Sequence, residues 1–222
     1  MRTKKQALVL YFATCLLAVF AVAIESDSLL LVVKPVIIPA IFFYYLSAKL
    51  TKTNPFVVIF MVLTFISDTI AMLDIRDSTL LVMVPYFLSY LILLHFAISD
   101  VKKTALEPYG IAIGIFMFVL VCAVTVMVVQ FFSTEQQRLA VPILIYGAFL
   151  AAYAGIATAY FFSTASNMGL YMILSALMCV VSDVFFALYS LIALFPGYHW
   201  FNLAVQLFSY FFITKYFILR KN

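Results

Sequence analysis

The sequence predicts an all-α membrane protein of eight transmembrane helices with both termini in the cytoplasm. It also carries a pattern that suggests a four-plus-four parallel repeat. Three observations support this. Hydrophobic types make up 67% of the 222 residues and charged types only 10%, whereas soluble domains average roughly half and a quarter. The apolar residues fall into eight long runs. The lysines and arginines gather in alternate breaks between those runs. A water-soluble fold of this size cannot hide so much apolar surface, and a disordered chain needs low hydrophobicity. The net charge of +4 is thinly spread, so no nucleic-acid partner is expected. The whole chain, 1–222, reads as one polytopic domain in a lipid bilayer.

A spanning helix needs about 20 mostly apolar residues. The eight runs cover 6–24, 29–48, 55–73, 79–98, 108–132, 139–162, 168–194 and 200–219. The first follows the basic residues Arg2, Lys4 and Lys5 and stops at Glu25-Ser26-Asp27-Ser28. The second contains Pro35 and Pro39 and ends at Lys49, before Lys52 and an Asn54-Pro55 turn opens the third. A charged tip, Asp74-Ile75-Arg76-Asp77, separates the third and fourth. The break from Asp100 ends on Pro108, a residue suited to a helix start. Ser133 to Arg138 is polar, Ser163 to Asn167 is small and polar, and Pro196-Gly197 breaks the last pair. The first run also resembles a signal peptide, with a basic start and Ala21-Val22-Ala23 near its end. Its apolar stretch is long for that role, so a retained helix is preferred. Cleavage would leave the other seven helices oriented as described.

Orientation follows from the positive-inside rule. With the N-terminus inside, the cytoplasmic segments hold ten Lys and Arg, from Arg2, Lys4 and Lys5 to Lys215, Arg220 and Lys221. The opposite side holds two, Arg76 and Arg138, with Glu25, Asp27, Asp74, Asp77 and Glu135. The expected location is an integral multi-pass protein, in the plasma (inner) membrane if the source is bacterial. The repeat rests on Thr64-Phe65-Ile66-Ser67-Asp68 in the third run and Cys179-Val180-Val181-Ser182-Asp183 in the seventh, at matching places in the two halves. Gly110 and Gly114, and Gly147, Ala151, Gly155 and Ala159, are spaced four apart on their helices. Small residues on one face point to close helix packing. The many Phe and Tyr are read as lipid-facing bulk, interfacial anchors or core.

Charges inside the hydrocarbon are costly and therefore informative. Three stand inside the runs: Lys34, Asp68 and Asp183. Lys34 and Asp68 each lie about one and a half turns from the outer ends of their helices, and Asp183 roughly three turns. The expectation is that all three meet in a cavity in the outer half of the membrane. A buried carboxyl tends to keep its proton, and a nearby ammonium favours the carboxylate. Such a set can supply an acid and a base at one place. Pro35 and Pro39 free backbone carbonyls on the Lys34 helix, which suits a polar lining. The plainer reading is that Lys34 pairs with one Asp to pin helices, or snorkels to the surface. His95 and His199 read as interfacial residues.

Other chemistries lack their residues. Cys15, Cys122 and Cys179 are widely spaced, and with only two histidines no metal site is expected. There is no glycine-framed serine, no His-Glu-x-x-His and no phosphate-cradling loop. Intramembrane aspartyl proteases place an Asp in Gly-x-Gly-Asp, whereas both aspartates here follow serine. No cofactor is expected.

At these residues the chain resembles the YhhN family, which includes the transmembrane lysoplasmalogenases. Lys34-Pro35 is similar to the family's Lys-Pro-Leu segment, with Val36 for Leu. Ser67-Asp68 stands where the family commonly has Gly-Asp, and Ser175 to Leu188 resembles its second acidic motif. Ser209-Tyr210-Phe211 through Tyr216 is similar to the closing segment, with Lys215 for Gln. The resemblance covers nearly the whole chain. One departure concerns the family's Phe-x-x-x-His in its fourth helix. His95 lies one residue late after Tyr90, a rotation of about 100° on a helix, so its role is not carried over.

The resemblance implies a hydrolase that cleaves the vinyl ether bond of a lysophospholipid. On that reading Asp68 and Asp183 are catalytic, and Lys34, Ser67 and Ser182 bind the substrate. Which Asp is acid and which base stays open. A proton-coupled transporter using the same Asp and Lys residues is the alternative, and a non-catalytic membrane protein is the third reading.

Overall fold

A backbone amide in hydrocarbon finds no partner outside its own segment, so each apolar run must close its hydrogen bonds as a helix. The structure is a computed structural model. It describes residues 2–49, 52–73, 79–134, 136–192 and 198–220, apart from the side chains of Arg2, Ser190 and Leu191. Among the described residues, eight helices are long and apolar enough to cross a membrane. The chain is an integral multi-pass membrane protein. In chain order the helices are α1 (Arg2–Ala23), α2 (Asp27–Ala48), α3 (Pro55–Met72), α4 (Thr79–Val101), α5 (Pro108–Gln130), α6 (Ala140–Thr164), α7 (Asn167–Phe186) and α8 (Tyr198–Leu219). The tip at Asp74-Ile75-Arg76-Asp77, Glu135, the Pro196-Gly197 break and Lys221 lie outside the described residues.

Local chemistry sets several boundaries. Pro55 is the first residue of α3, and the Asn54 side chain accepts the Phe56 N–H at 2.9 Å, satisfying one of the orphan donors of the first turn. Ser166 does the same for α7, accepting the Gly169 N–H at 3.1 Å. Pro108 opens α5 as expected. At the end of α6, Ala165 takes the left-handed conformation (φ 46°) and donates to the Phe161 carbonyl at 2.8 Å. Glycine is the usual choice there, because a Cβ is strained at that φ. The prolines of α2, Pro35 and Pro39, and Pro85 of α4 sit inside continuous helices.

Two boundaries differ from expectation. The fourth run was expected to end at 98, but α4 continues to Val101 and takes Asp100 into the helix, where it is buried. Its carboxylate is accommodated because the Tyr216 hydroxyl donates to Oδ2 at 2.6 Å. Asp100 is therefore a further charge within a helix, beyond the three expected. The seventh run was expected as one regular helix to 194. Instead α7 gives way after Phe186 to a wider π turn over Ala187–Leu191, with the Ile192 N–H bonded to the Ala187 carbonyl at 3.0 Å. One short addition is a 3₁₀ turn over Gln136–Leu139 that leads into α6.

The chain divides into two compact units, residues 1–92 with 217–222, and residues 93–216. In the first unit α2 packs against α1 and α3, and Phe60 of α3 meets Phe217 edge to face at 5.4 Å. In the second unit α6 lies between α5 and α7. The α5–α6 seam is the tightest contact. A Cβ added to Gly114 would stand 2.6 Å from the Gly155 carbonyl oxygen, and one added to Gly155 would stand 2.9 Å from that of Gly114. Gly110 is closed in the same way by Ser163, and Gly147 by Thr125. The small residues thus let two backbones touch, as their spacing predicts. The aromatics divide as read from the sequence: Tyr11, Tyr44, Tyr45, Tyr153 and Tyr216 are core, while Phe43, Phe116, Phe131 and Phe208 are exposed.

Gly114→Ala and Gly155→Ala should each destabilise the fold by about 1–3 kcal/mol, the usual cost of overpacking. Unfolding in detergent micelles measures this, and an unchanged Gly114→Ala would contradict the close seam. Ala165→Gly should act in the opposite sense, stabilising by about 1 kcal/mol through relief of the left-handed strain.

Candidate functional site

Asp68 sits near the C-terminal end of α3, a helix on which two other side chains of this stretch, Thr64 and Thr69, bond back to their own backbone. Thr64 bonds back to the Phe60 carbonyl at 2.8 Å and Thr69 to that of Phe65 at 2.7 Å. Oδ1 of Asp68 receives the Tyr86 hydroxyl of α4 at 2.6 Å. The Lys34 ammonium of α2 lies 3.9 Å from the same oxygen, with the two side chains 13% and 9% exposed. Three helices therefore meet on one carboxylate. The neighbouring Ser67 is fully buried and donates across to the Val82 carbonyl of α4 at 2.9 Å. Pro85 lacks an N–H and interrupts the α4 ladder at the Leu81 carbonyl, next to that acceptor.

Asp183 is half-buried in the second unit. Its Oδ2 receives the Tyr146 hydroxyl of α6 at 2.8 Å. The neighbouring Ser182 is buried and donates to Oδ1 of Asn202 on α8 at 3.0 Å. The two Ser-Asp pairs thus follow one pattern. Each serine reaches the first turns of the next helix, Val82 or Asn202. Each aspartate is met from the second helix of its half, by Lys34 or by Tyr146. The structure brings Lys34 and Asp68 together as an ion pair, and it gives Asp183 a phenol as partner.

Sequence reasoning missed the two tyrosines. Tyr86 follows Pro85 directly, and Tyr146 lies four residues after Pro142. That nearness to a proline does not mark either tyrosine as the partner of an aspartate. The other expected residues are placed as follows. His95 is exposed on α4, and His199 stacks on Tyr189 at 4.7 Å with near-parallel rings. Among the described residues, no three His, Cys, Asp or Glu side chains gather as a metal site requires. Cys15, Cys122 and Cys179 are free thiols. The arrangement offers a buried carboxylate with a cation and a phenol on one oxygen, and a second carboxyl with a phenol. Such groups can donate, accept and hold protons away from bulk water.

Ser67→Ala and Ser182→Ala should each cost about 0.6–2 kcal/mol, the range for interhelical hydrogen bonds in membranes. Lys34→Met should cost more, about 3–5 kcal/mol, because it leaves a buried carboxylate without its cation. Chemical unfolding in mixed micelles checks the order, and a Lys34→Met variant as stable as the parent would show that the pair is not a structural clamp.

Comparison with curated proteins found no match, and comparison with solved structures found none. The sequence profile of the YhhN family matches residues 29–221, which is nearly the whole chain. That span runs from the second helix to the end of the eighth and contains Lys34, Asp68, Tyr86, Tyr146 and Asp183. With its length matched almost throughout, and with eight spanning helices, the chain belongs to the YhhN family.

Proposed function

We propose that this protein is a membrane-embedded lipid hydrolase that cleaves the vinyl ether bond of lysoplasmalogen-type lysophospholipids. The products are a fatty aldehyde and a glycerophospho-base. The observation that carries the reading is the buried Lys34–Asp68–Tyr86 cluster in a membrane-spanning segment. Family membership supports it. A carboxylate, an ammonium and a phenol in low dielectric are costly to assemble, and intramembrane ionisable groups usually mark function.

The chemistry needs few groups. A proton is delivered to the β-carbon of the vinyl ether, and the electron pair of the double bond forms the new C–H bond. The ether oxygen then shares the positive charge as an oxocarbenium ion. Water adds to the cationic carbon and loses a proton, giving a hemiacetal. Collapse of the hemiacetal breaks the C–O bond to glycerol, with the proton returned to the leaving oxygen. In this reading Asp68 and Asp183 divide the donation of the first proton and the stabilisation of the cation and water. Lys34 binds the lipid phosphate or holds Asp68 in place. Ser67 and Ser182 act at the substrate or through the helices they tie. No metal or cofactor is required for these steps.

The experiment is aldehyde release from a lysoplasmalogen by purified protein in detergent. Asp68→Asn and Asp183→Asn should each lower the rate by about 10²–10⁴-fold, the range for a lost general acid or base, with folding intact. Full activity in both variants would sink the mechanism. An inactive, well-folded parent that takes up solute under a proton gradient in sealed vesicles would favour the transporter reading, for which the same buried Asp–Lys pair is suited.

A further inference from the structure

The ion pair of the first unit is not closed. The Lys34 ammonium stands 3.9 Å from Oδ1 of Asp68, beyond the reach of a hydrogen bond. That oxygen already receives the Tyr86 hydroxyl at 2.6 Å. Among the described residues Lys34 has no other hydrogen bond, ion pair or ring contact. An ammonium carries three N–H donors. With the side chain only 13% exposed, leaving them unused is costly. The nitrogen is nevertheless open. The described side-chain atoms that are both enclosed and without a partner are the Tyr45 hydroxyl and Oγ1 of Thr214. A group the size of water can therefore touch the Lys34 ammonium.

A polar gap of this length is one that a single oxygen can bridge. An oxygen about 2.8 Å from each atom fits, since that reach is more than half of 3.9 Å. The bridging group must accept from the ammonium and donate to the carboxyl. A hydroxyl does both. A phosphate oxygen only accepts, and it would set a second negative group against the ion pair, where charges are poorly screened. A carboxylate accepts at about four lone-pair sites, so the Tyr86 phenol does not exhaust it.

We propose that Lys34 and Asp68 together hold the free central hydroxyl of the glycerol in a lysophospholipid, which makes Lys34 a specificity-determining residue. The inference rests on the lipid hydrolase reading and names the group by which that site knows its substrate. The carbon bearing this hydroxyl is bonded to the carbon that carries the ether oxygen. Holding the hydroxyl therefore sets the ether oxygen close to Asp68, where the positive charge develops. An acyl chain on the central oxygen removes the O–H, and a site built around a hydroxyl rejects a ligand that lacks it. The ion pair then selects one-chain over two-chain lipids.

The test is binding of two lipids by the full-length protein in detergent. One is a saturated alkyl-ether lysophosphatidylcholine, which has no vinyl ether to cleave. The other is its counterpart with the central hydroxyl replaced by hydrogen. The parent should bind the hydroxyl lipid about 10–100-fold more tightly. Lys34→Gln combined with Asp68→Asn replaces both charges and leaves neither buried alone, so it should fold, and the preference should drop to a few-fold. Lys34→Arg keeps the charge, and its fork can bond Asp68 directly, so the preference should drop there as well. Equal binding of the two lipids by the parent would overturn the proposal without any variant. A preference retained in the variants would place the hydroxyl elsewhere and overturn it too. Variants that bind both lipids more weakly by one factor would give Lys34 to the phosphate, against the proposal. A parent that shows the preference but releases no aldehyde from a lysoplasmalogen would leave the hydroxyl site standing and remove the hydrolase reading.

Discussion

A carboxyl or hydroxyl buried between spanning helices has no water to turn to, and this constraint organises the protein. Asp68, Asp100 and Asp183 each accept from a tyrosine hydroxyl on another helix. Ser67 and Ser182 each donate to another helix. The residues that look costly one at a time are therefore the ones that tie the helices to each other. In the proposed reaction the same groups would supply the proton chemistry, so the fold and that reaction would draw on one set of contacts. A polar cluster with partners on three helices is rigid, and rigidity keeps a proton donor aimed at its target.

A second form of adhesion works by absence of side chains. Along α5 and α6 the glycines replace polar ties with backbone contact, since lipid tails give no hydrophobic reason for two apolar helices to associate. Thr125 turns its oxygen back to a carbonyl of its own helix at 2.9 Å, and Ser163 does the same at 2.8 Å while accepting the Glu107 N–H at the start of α5 at 3.0 Å. Beyond that cap the seam rests on backbone contact, while the α3–α4 and α7–α8 contacts are hydrogen-bonded through side chains. Helix α6 takes part in both kinds of contact, since its glycines face α5 and its Tyr146 reaches Asp183 on α7.

The helices were legible because the bilayer imposes their length and composition directly on the chain. The ion pair of Lys34 and Asp68 was half legible: each charge stood out in its apolar run, and only packing could say which Asp the lysine would meet. Tyr86 and Tyr146 were not legible as partners. The chain has 14 tyrosines, and a hydrogen bond between residues 18 or 37 positions apart leaves no periodic trace. Asp100 was hidden by its place at a helix end, where a charge normally signals water. One partner in its buried place is Tyr216, 116 residues away.

The π turn after α7 has an effect on register. Each extra residue in a helical turn advances the faces beyond it by about 100°. Asp183 lies before the turn and keeps the orientation of the long helix. Ala187 within it packs into the small core of Val128, Phe132 and Leu139, and Tyr189 stacks on His199. The insertion therefore works as a phase shifter. It lets one continuous segment show a carboxyl to one set of neighbours and, a single turn later, aromatic and apolar groups to another. A deletion there would leave Asp183 in place and rotate the residues beyond it, so the carboxyl and what borders it can change independently.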